Sequence, residues 1–274
     1  VIHLAASSHV DNSINKPIDF MNVNILGTYS MVEACKKYWI QNNYFKKFRF
    51  IYISTDEVFG SVSGKKQFYE NSNYSPNNPY SASKASGELI VKSWNKTYNF
   101  PGIITNTSNN YGPRQFIEKL IPKTINNCLN KIAIPIYGNG KNIRDWIHVD
   151  DNAKAILTVL KKGKINETYN IGSNNEISNI KLVKLICKII DKKLDNKFNS
   201  SKLIYYVKDR PGHDLRYALN SNKIKKELNW KPKVSFEEGV SLLLKDIDYW
   251  KNTILWDKNK IKKATKNWFK FLKK

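Results

Sequence analysis

The stretch Phe50-Ile-Tyr-Ile-Ser-Thr-Asp-Glu57 decides the fold. Its first half is a short run of β-branched and aromatic residues with no polar alternation, the pattern of a strand buried on both faces. Its second half turns abruptly small, polar and acidic. Two other stretches follow the same grammar. Val1-Ile-His-Leu-Ala-Ala6 runs into Ser7-Ser-His9, and Gly102-Ile-Ile-Thr-Asn106 runs into Thr107-Ser-Asn-Asn110. Helical patterns lie between them, from about Pro17 to Tyr38, with Phe20, Val23, Leu26, Met31 and Val32 as apolar candidates, and from Pro79 to about Tyr98. Short apolar strands alternating with helices predict an α/β fold with a parallel sheet covered on both faces. Ligands in such sheets sit beyond the carboxyl ends of the strands. Three polar strand ends converging on one rim are therefore the first functional signal.

After Pro113 the elements shorten. A helix is expected near Ile117 to Leu129, strands near Ile132 to Tyr137 and Trp146 to Val149, and a helix from about Asp151 to Leu160. A strand near Tyr169 to Ile171 and a helix near Ile180 to Ile190 follow. The expected division is a sheet domain over 1–112 with a return segment near 149–172, a smaller mixed α/β substrate lobe mainly over 113–250, and a basic helical tail over 251–274. Trp256, Trp268 and Phe271 give that tail a loosely helical apolar spacing.

The composition excludes several classes. The net charge is +23, but all except five of the 46 basic side chains are lysines dispersed along the chain. That is the signature of a solvated basic surface rather than of a nucleic-acid footprint, which needs clustering. No apolar run approaches the ~18 residues that span a bilayer, so no membrane association is expected. Cys35, Cys128 and Cys187 are far apart and without CxxC spacing. This excludes a disulfide scaffold or zinc module and fits a reducing, cytoplasmic setting. His3, His9, His148 and His213 have no metal-ligand spacing, and no metal is expected. No GxGxxG or GxxGxxG turn occurs, Gly138 and Gly140 being the nearest pair. A dinucleotide fold needs that turn for its backbone amides to reach a pyrophosphate. Either the chain is no dinucleotide enzyme, or a segment carrying that turn is missing from the front.

Tyr80 and Lys84 stand one helical turn apart, so their side chains share a face. An ammonium near a phenol favours the phenolate and would make Tyr80 a base for an alcohol being oxidised. Tyr137 and Lys141 have the same spacing but span Gly138-Asn-Gly140, which is a turn. The Tyr80 pair follows Pro79, a favoured first helical residue. Ala82, Ser83, Ala85, Ser86 and Gly87 keep that helix slim, so that a ligand or the sheet can approach its backbone. Asp56 and Glu57 at a strand end read either as the solvated cap of a turn or as a proton donor and acceptor beside one carbon skeleton. Strand alternation would aim the two at different atoms.

Taken together, six motifs carry a resemblance. They are Val1-Ile-His-Leu-Ala-Ala6 continuing to Ser8-His-Val-Asp11, Ile53-Ser-Thr-Asp-Glu-Val-Phe-Gly60, Pro79-Tyr-Ser-Ala-Ser-Lys-Ala85, Ser108-Asn-Asn-Tyr-Gly-Pro113, the stretch from Pro135-Ile-Tyr-Gly138 to Arg144-Asp-Trp146, and Asp209-Arg-Pro-Gly-His-Asp214. In this order they closely resemble the dTDP-glucose 4,6-dehydratases, members of the extended short-chain dehydrogenase/reductases. The resemblance covers nearly the whole chain and about three-quarters of a typical member. It implies a Rossmann-like parallel sheet, here without its first strands and glycine turn.

The resemblance also implies roles. Tyr80 would take the proton of a sugar 4-hydroxyl as hydride leaves for NAD, and Lys84 would bind the nicotinamide ribose and poise Tyr80. Glu57 would remove the C5 proton, Asp56 would protonate the departing 6-hydroxyl, and Thr55 would steady the 4-oxygen. Ala5, Ala6, Ser7 and Asn110 would join Tyr80 and Lys84 around NAD. For the substrate, dTDP-glucose, Ser8 and Asn109 would make contacts, with Leu120 and Pro135 beside them. Lys119, Arg144 and either His213 or Arg210 would clamp the diphosphate, Tyr137 would stack near the thymine, and Asn179 would reach the nucleoside. Four of the five arginines (Arg114, Arg144, Arg210, Arg216) fall in or beside the motifs. Ser7 stands where the family commonly carries Glu, Val23 near a position that is often Thr, and the loop after Gly60 is short. A homodimer through the Pro17–Tyr38 and Pro79–Tyr98 helices is implied, with the product feeding rhamnose-type deoxysugar synthesis.

Three other readings remain at this stage. A sister sugar-nucleotide epimerase or decarboxylase would share Tyr80 and Lys84 but not the Thr55-Asp56-Glu57 triplet. An inactive remnant would lack NAD binding. A basic nucleic-acid binder would show salt-steep affinity for DNA.

Overall fold

The structure, a computed structural model, describes residues 1–43, 47–195 and 198–253. Four parallel strands form the main sheet in the order β1 (Ile2–His3), β2 (Phe50–Thr55), β3 (Gly102–Thr107) and β7 (Thr168–Ile171). β2 and β3 are the unbroken apolar runs of the sequence, and β3 is buried along its whole length. Residues 149–172 return to this sheet, since β7 pairs with β3. Val1-Ile-His-Leu-Ala-Ala6 departs from expectation. Only Ile2 and His3 pair, and Leu4 and Ala5 are exposed.

One face of the sheet is covered by α3 (Gly27–Gln41) and α4 (Pro79–Tyr98), with Val32, Trp39, Val91 and Phe100 packed on Phe50, Tyr52 and Ile104. The other face is covered by α6 (Val149–Lys162) and α8 (Asn222–Leu228) through Ala155, Ile156, Val159, Ile224 and Leu228. The sequence reading did not anticipate this second return by α8, which takes part of 113–250 into the core of the main sheet.

α4 shows how the sequence sets a boundary. Asn78 accepts a hydrogen bond from the Ser81 amide, and the Ser81 side chain answers the Asn78 backbone, a capping box with Pro79 as first helical residue. Asn99 in the left-handed conformation ends the helix. A methyl group on Gly87 would collide with the Tyr52 hydroxyl, so the slim face admits the sheet. Beside it, the fully buried Glu88 accepts hydrogen bonds from Ser54 (2.5 Å), Asn106 (2.7 Å) and Tyr74 (2.6 Å), which ties β2, β3 and α4 together.

The Pro17–Tyr38 helix is not one α-helix. α1 (Val10–Asn15) and α2 (Pro17–Phe20) lead into a π-helical turn, Met21–Leu26, before α3. An i→i+5 turn rotates the following face relative to an α-helical register. Phe20 and Val32 are buried as expected, whereas Val23, Leu26 and Met31 lie on the surface.

The second lobe holds β4 (Asn109–Tyr111), β6 (Ile143–His148) and β8 (Glu176–Ser178) in one small sheet, and the parallel pair β5 (Ile134–Tyr137) and β9 (Ile204–Val207). α5 (Leu120–Leu129), α7 (Asn179–Lys193), α9 (Phe236–Leu243) and α10 (Ile247–Asn252) enclose its core around Ile121, Ile125, Ile186 and Trp250. Most of the expected basic tail, with Trp256, Trp268 and Phe271, lies outside the described residues.

Candidate active site

A cavity of about 410 Å³ opens between the carboxyl ends of β2 and β3 and the second lobe. The strand ends deliver its chemistry. Thr55 is the last residue of β2 and caps the following turn, accepting from the Glu57 amide at 3.3 Å. That cap fixes Asp56 and Glu57 at the rim. Tyr80 and Lys84 enter from the first turns of α4 and line the same cavity. Tyr80 shares a side-chain hydrogen bond with Thr55.

The two carboxyl groups differ. Asp56 is buried, Thr55 Oγ1 donates to its Oδ1 at 3.2 Å, and its Oδ2 has no partner among the described residues. Burial first and the neighbouring Glu57 second push its ionisation well above the usual carboxylate range. These surroundings favour its protonated form. Glu57 receives weak bonds from Asn78 Nδ2 (3.4 Å) and the Tyr217 hydroxyl (3.3 Å). The side-by-side pair thus contains one acid with a proton to give and one group held by neutral donors.

Lys84 is anchored to β2 and to the Tyr52 ring. Its ammonium donates to the Ile53 carbonyl at 2.7 Å and lies 4.2 Å from the centre of the Tyr52 ring. Burial lowers its ionisation to about 8, opposed by Glu88. The Tyr80 phenol is pushed up, by burial first and then by Glu57. Burial and the Glu57 carboxylate both oppose the phenolate, so a cation at the phenol is what Tyr80 needs to act as a base.

At the other end of the cavity a cationic wall faces inward. Arg144 is 4% exposed and is held by the carbonyls of Ile143 (2.7 Å), Asp214 (2.9 Å) and Leu215 (3.4 Å), with no carboxylate in ion-pair contact among the described residues. A buried guanidinium whose hydrogen bonds go to carbonyls and not to a carboxylate suits an anionic ligand. Arg210 pairs with Asp11 at 3.0 Å, and Asp11 also accepts from the Tyr137 hydroxyl at 2.8 Å. His213 is neutral, its ionisation lowered to about 2 by burial and by Arg210 and Arg144. Arg210 donates to its Nε2 at 3.1 Å, so Nδ1 carries the hydrogen and donates to Asp209 at 2.6 Å.

Ala6, Ser8, Asn109, Asn110 and Lys119 also line the cavity, as do Leu120, Pro135, Tyr137, Asn179, Arg144, Arg210 and His213. Ala5 and Ser7 do not. Ala5 is exposed, and the Ser7 backbone is engaged at both ends by the Asn24 side chain. Arg114 and Arg216 also stand apart, paired with Asp246 and Glu176. Sequence reasoning missed Asp11, Glu118 and Lys123 as cavity residues. Asp11 sits in the quoted Ser8-His-Val-Asp11 motif, and Lys123 lies one helical turn after Lys119, so both carried a signal that went unused.

The cavity fits a dinucleotide's nicotinamide end. Lys84 has three donors and Ile53 takes one. Asn110 Oδ1 and Ser108 Oγ are buried without partners among the described residues.

A parallel sheet whose strand ends present a Thr-Asp-Glu triplet to a helix-borne tyrosine and lysine, opposite a cationic wall, defines a nucleotide-sugar-modifying enzyme of the short-chain dehydrogenase class. The chain belongs to the GDP-mannose 4,6 dehydratase family, whose profile matches residues 1–243. It is 48% identical over 271 residues to a dTDP-glucose 4,6-dehydratase of Escherichia coli, covering 93% of this chain and 74% of that protein. It is also 48% identical over 252 residues to the dTDP-glucose 4,6-dehydratase of Haemophilus influenzae, covering 89% and 75%. Among solved structures, DesIV, a dTDP-glucose 4,6-dehydratase from Streptomyces venezuelae with NAD and TYD bound, superposes with a TM-score of 0.80 at 37% identity, covering 91% and 74%. A UDP-glucuronic acid 4-epimerase from Bacillus cereus superposes with a TM-score of 0.78 at 28% identity, covering 90% and 75%.

Proposed function

We propose that this chain is an NAD-dependent dTDP-glucose 4,6-dehydratase, a hydro-lyase that converts dTDP-glucose to the 4-keto-6-deoxy sugar nucleotide. The observation that carries this reading is the shared cavity of Thr55, Asp56, Glu57 and Tyr80, in which burial and the neighbouring Glu57 favour the protonated form of Asp56. An epimerase inverting one carbon needs no such acid beside a base.

NAD⁺, when bound, would supply the acceptor for the hydride from C4, the donor of that hydride to C6, and a positive charge that favours the phenolate. Lys84, Tyr80, Asn110 and Ala6, which line the cavity, would hold it. Tyr80 accepts the proton of the sugar 4-hydroxyl, with Thr55 bonded to the same oxygen. The resulting 4-ketone acidifies the C5 hydrogen, and Glu57 removes it. Asp56 gives its proton to the 6-hydroxyl, which leaves as water, and the C5–C6 double bond so formed would take back at C6 the hydride removed from C4 and at C5 a proton returned by Glu57, which completes the 6-deoxy product. Donor and acceptor act at adjacent carbons, which suits neighbouring residues at a strand end. Arg144, Arg210 and Lys119 take the diphosphate, and neutral His213 adds no charge while orienting Arg210.

The enzyme acts as a homodimer in the cytoplasm and serves deoxysugar synthesis of the rhamnose type. The dimer is supported by apolar side chains on α3, α4 and the turn before α3, with Leu26 58% and Leu89 54% exposed. The reducing compartment is supported by three free cysteines.

Incubation with dTDP-glucose and NAD⁺, followed by mass spectrometry in deuterated water, tests the reading. The expected product has lost one water and carries solvent deuterium at C5. A product of unchanged composition inverted at C4 would overturn it in favour of an epimerase.

A further inference from the structure

Tyr217 does not line the cavity, yet the catalytic end of the cavity leans on it. Its hydroxyl stands 2.8 Å from Asp214 Oδ2 and 3.3 Å from Glu57 Oε2. Its ring carries the Arg144 guanidinium, whose Cζ lies 3.9 Å from the ring centre. The residue is 3% exposed, and burial together with Glu57 raises its ionisation well above the usual phenol range. It is therefore a neutral donor with one hydrogen and two carboxylates within reach. The surroundings fix it from both sides. Asp214 is held by Asn77 Nδ2 at 2.6 Å, and the Asp214 carbonyl accepts from Arg144 Nη2 at 2.9 Å. Asn78, the next residue along from Asn77, donates to the same Glu57 oxygen as Tyr217.

We infer that Tyr217 is a positioning residue that couples the diphosphate anchor to the proton-abstracting carboxylate, its ring setting Arg144 and its hydroxyl setting Glu57. The inference rests on the dehydratase reading above. One rigid ring carries both contacts. Arg144 cannot settle on a diphosphate without defining the plane of the Tyr217 ring, and that plane defines where the hydroxyl meets Glu57. Occupancy of the nucleotide end thereby orders the base at the hexose end. Fixing a base in reach of its proton is worth far more to rate than to binding, so the two contacts separate experimentally.

Tyr217→Phe keeps the ring and removes the hydroxyl, and Tyr217→Leu removes both. Affinity for dTDP is read by calorimetry. Turnover of dTDP-glucose and exchange of the C5 hydrogen with solvent deuterium are read by mass spectrometry. Tyr217→Phe is expected to keep the dTDP Kd and the KM within about twofold while kcat and C5 exchange fall by about tenfold or more. Tyr217→Leu is expected to weaken dTDP binding by about tenfold as well. An unchanged kcat in Tyr217→Phe overturns the inference, as does a dTDP affinity that falls in step with kcat in that variant, which is the mark of a merely structural role. The binding arm needs no turnover. Unsubstituted enzyme that binds dTDP and releases no water defeats the dehydratase reading, whereas equal dTDP affinity in the Phe and Leu variants defeats the coupling through Arg144.

Discussion

Asn78 donates from its side-chain amide to Glu57 Oε2 at 3.4 Å, while the oxygen of the same side chain caps the helix that carries Tyr80 and Lys84. One residue thus aligns the helix that bears the phenol with the carboxylate at the end of β2. The catalytic groups come from two elements, and their relative placement depends on this join as well as on the packing of Gly87 against Tyr52.

Asn78→Ser separates the two duties of that residue. Serine is an equally good cap but too short to reach Glu57. Melting temperature is expected to stay within a few degrees of the unsubstituted protein while kcat for keto-sugar formation falls several-fold. A variant with both unchanged would show that the 3.4 Å contact is idle.

Asp56 and Glu57 are expected to fail at different steps. Asp56→Asn should still wash solvent deuterium into C5 while water loss slows by about a hundredfold or more. It should also be at least as stable as the unsubstituted protein, because burial disfavours the charged form of Asp56. Glu57→Gln should bind dTDP-glucose yet lose both C5 exchange and water release. Reversed behaviour of the two variants would exchange their roles.

Lys84 imposes a stability cost with a definite pH dependence. Its folded-state ionisation lies at about 8, below the ordinary lysine value, so the fold pays for a buried ammonium at neutral pH. That cost is fully present below about pH 8 and fades as pH rises toward the ordinary lysine range. Lys84→Met should therefore melt higher than the unsubstituted protein at pH 7, by about 1–3 kcal/mol in stability. The gap should narrow at pH 9.5–10 (approximate values set by the lysine range), and activity should be absent. Thermal melts without NAD or dTDP check this, and a lower melting point at neutral pH would refute it.

Gly87→Ala tests the slim face of α4. Alanine favours a helix, so an exposed site would gain stability. Here the added methyl meets the Tyr52 hydroxyl, and a loss of about 1–3 kcal/mol in denaturant unfolding is expected. A stabilised variant would mean that the sheet yields at this contact.

Much of the site was legible because its signals are local. The apolar runs of β2 and β3 set two strands to within a residue of their observed ends, and Pro79 set the start of α4. The Tyr80–Lys84 spacing and the Thr55-Asp56-Glu57 strand end then marked five residues of the chemistry. The π-helical turn at Met21–Leu26 was not legible, because the same apolar spacing fits an α-helix and only packing against α4 selects the wider turn.

The sequence by itself determined which segments become strands and helices and which reactive side chains stand at their ends, because periodicity and capping act over a few residues. Only the tertiary structure decided which of them meet. Asp11 holds Arg210 across 199 positions and Tyr217 touches Glu57 across 160. It also decided their protonation, leaving Asp56 an acid, His213 neutral and the Tyr80 phenol raised. Ionisation follows from desolvation and from charges brought close by folding, and neither quantity exists until distant parts of the chain have packed together.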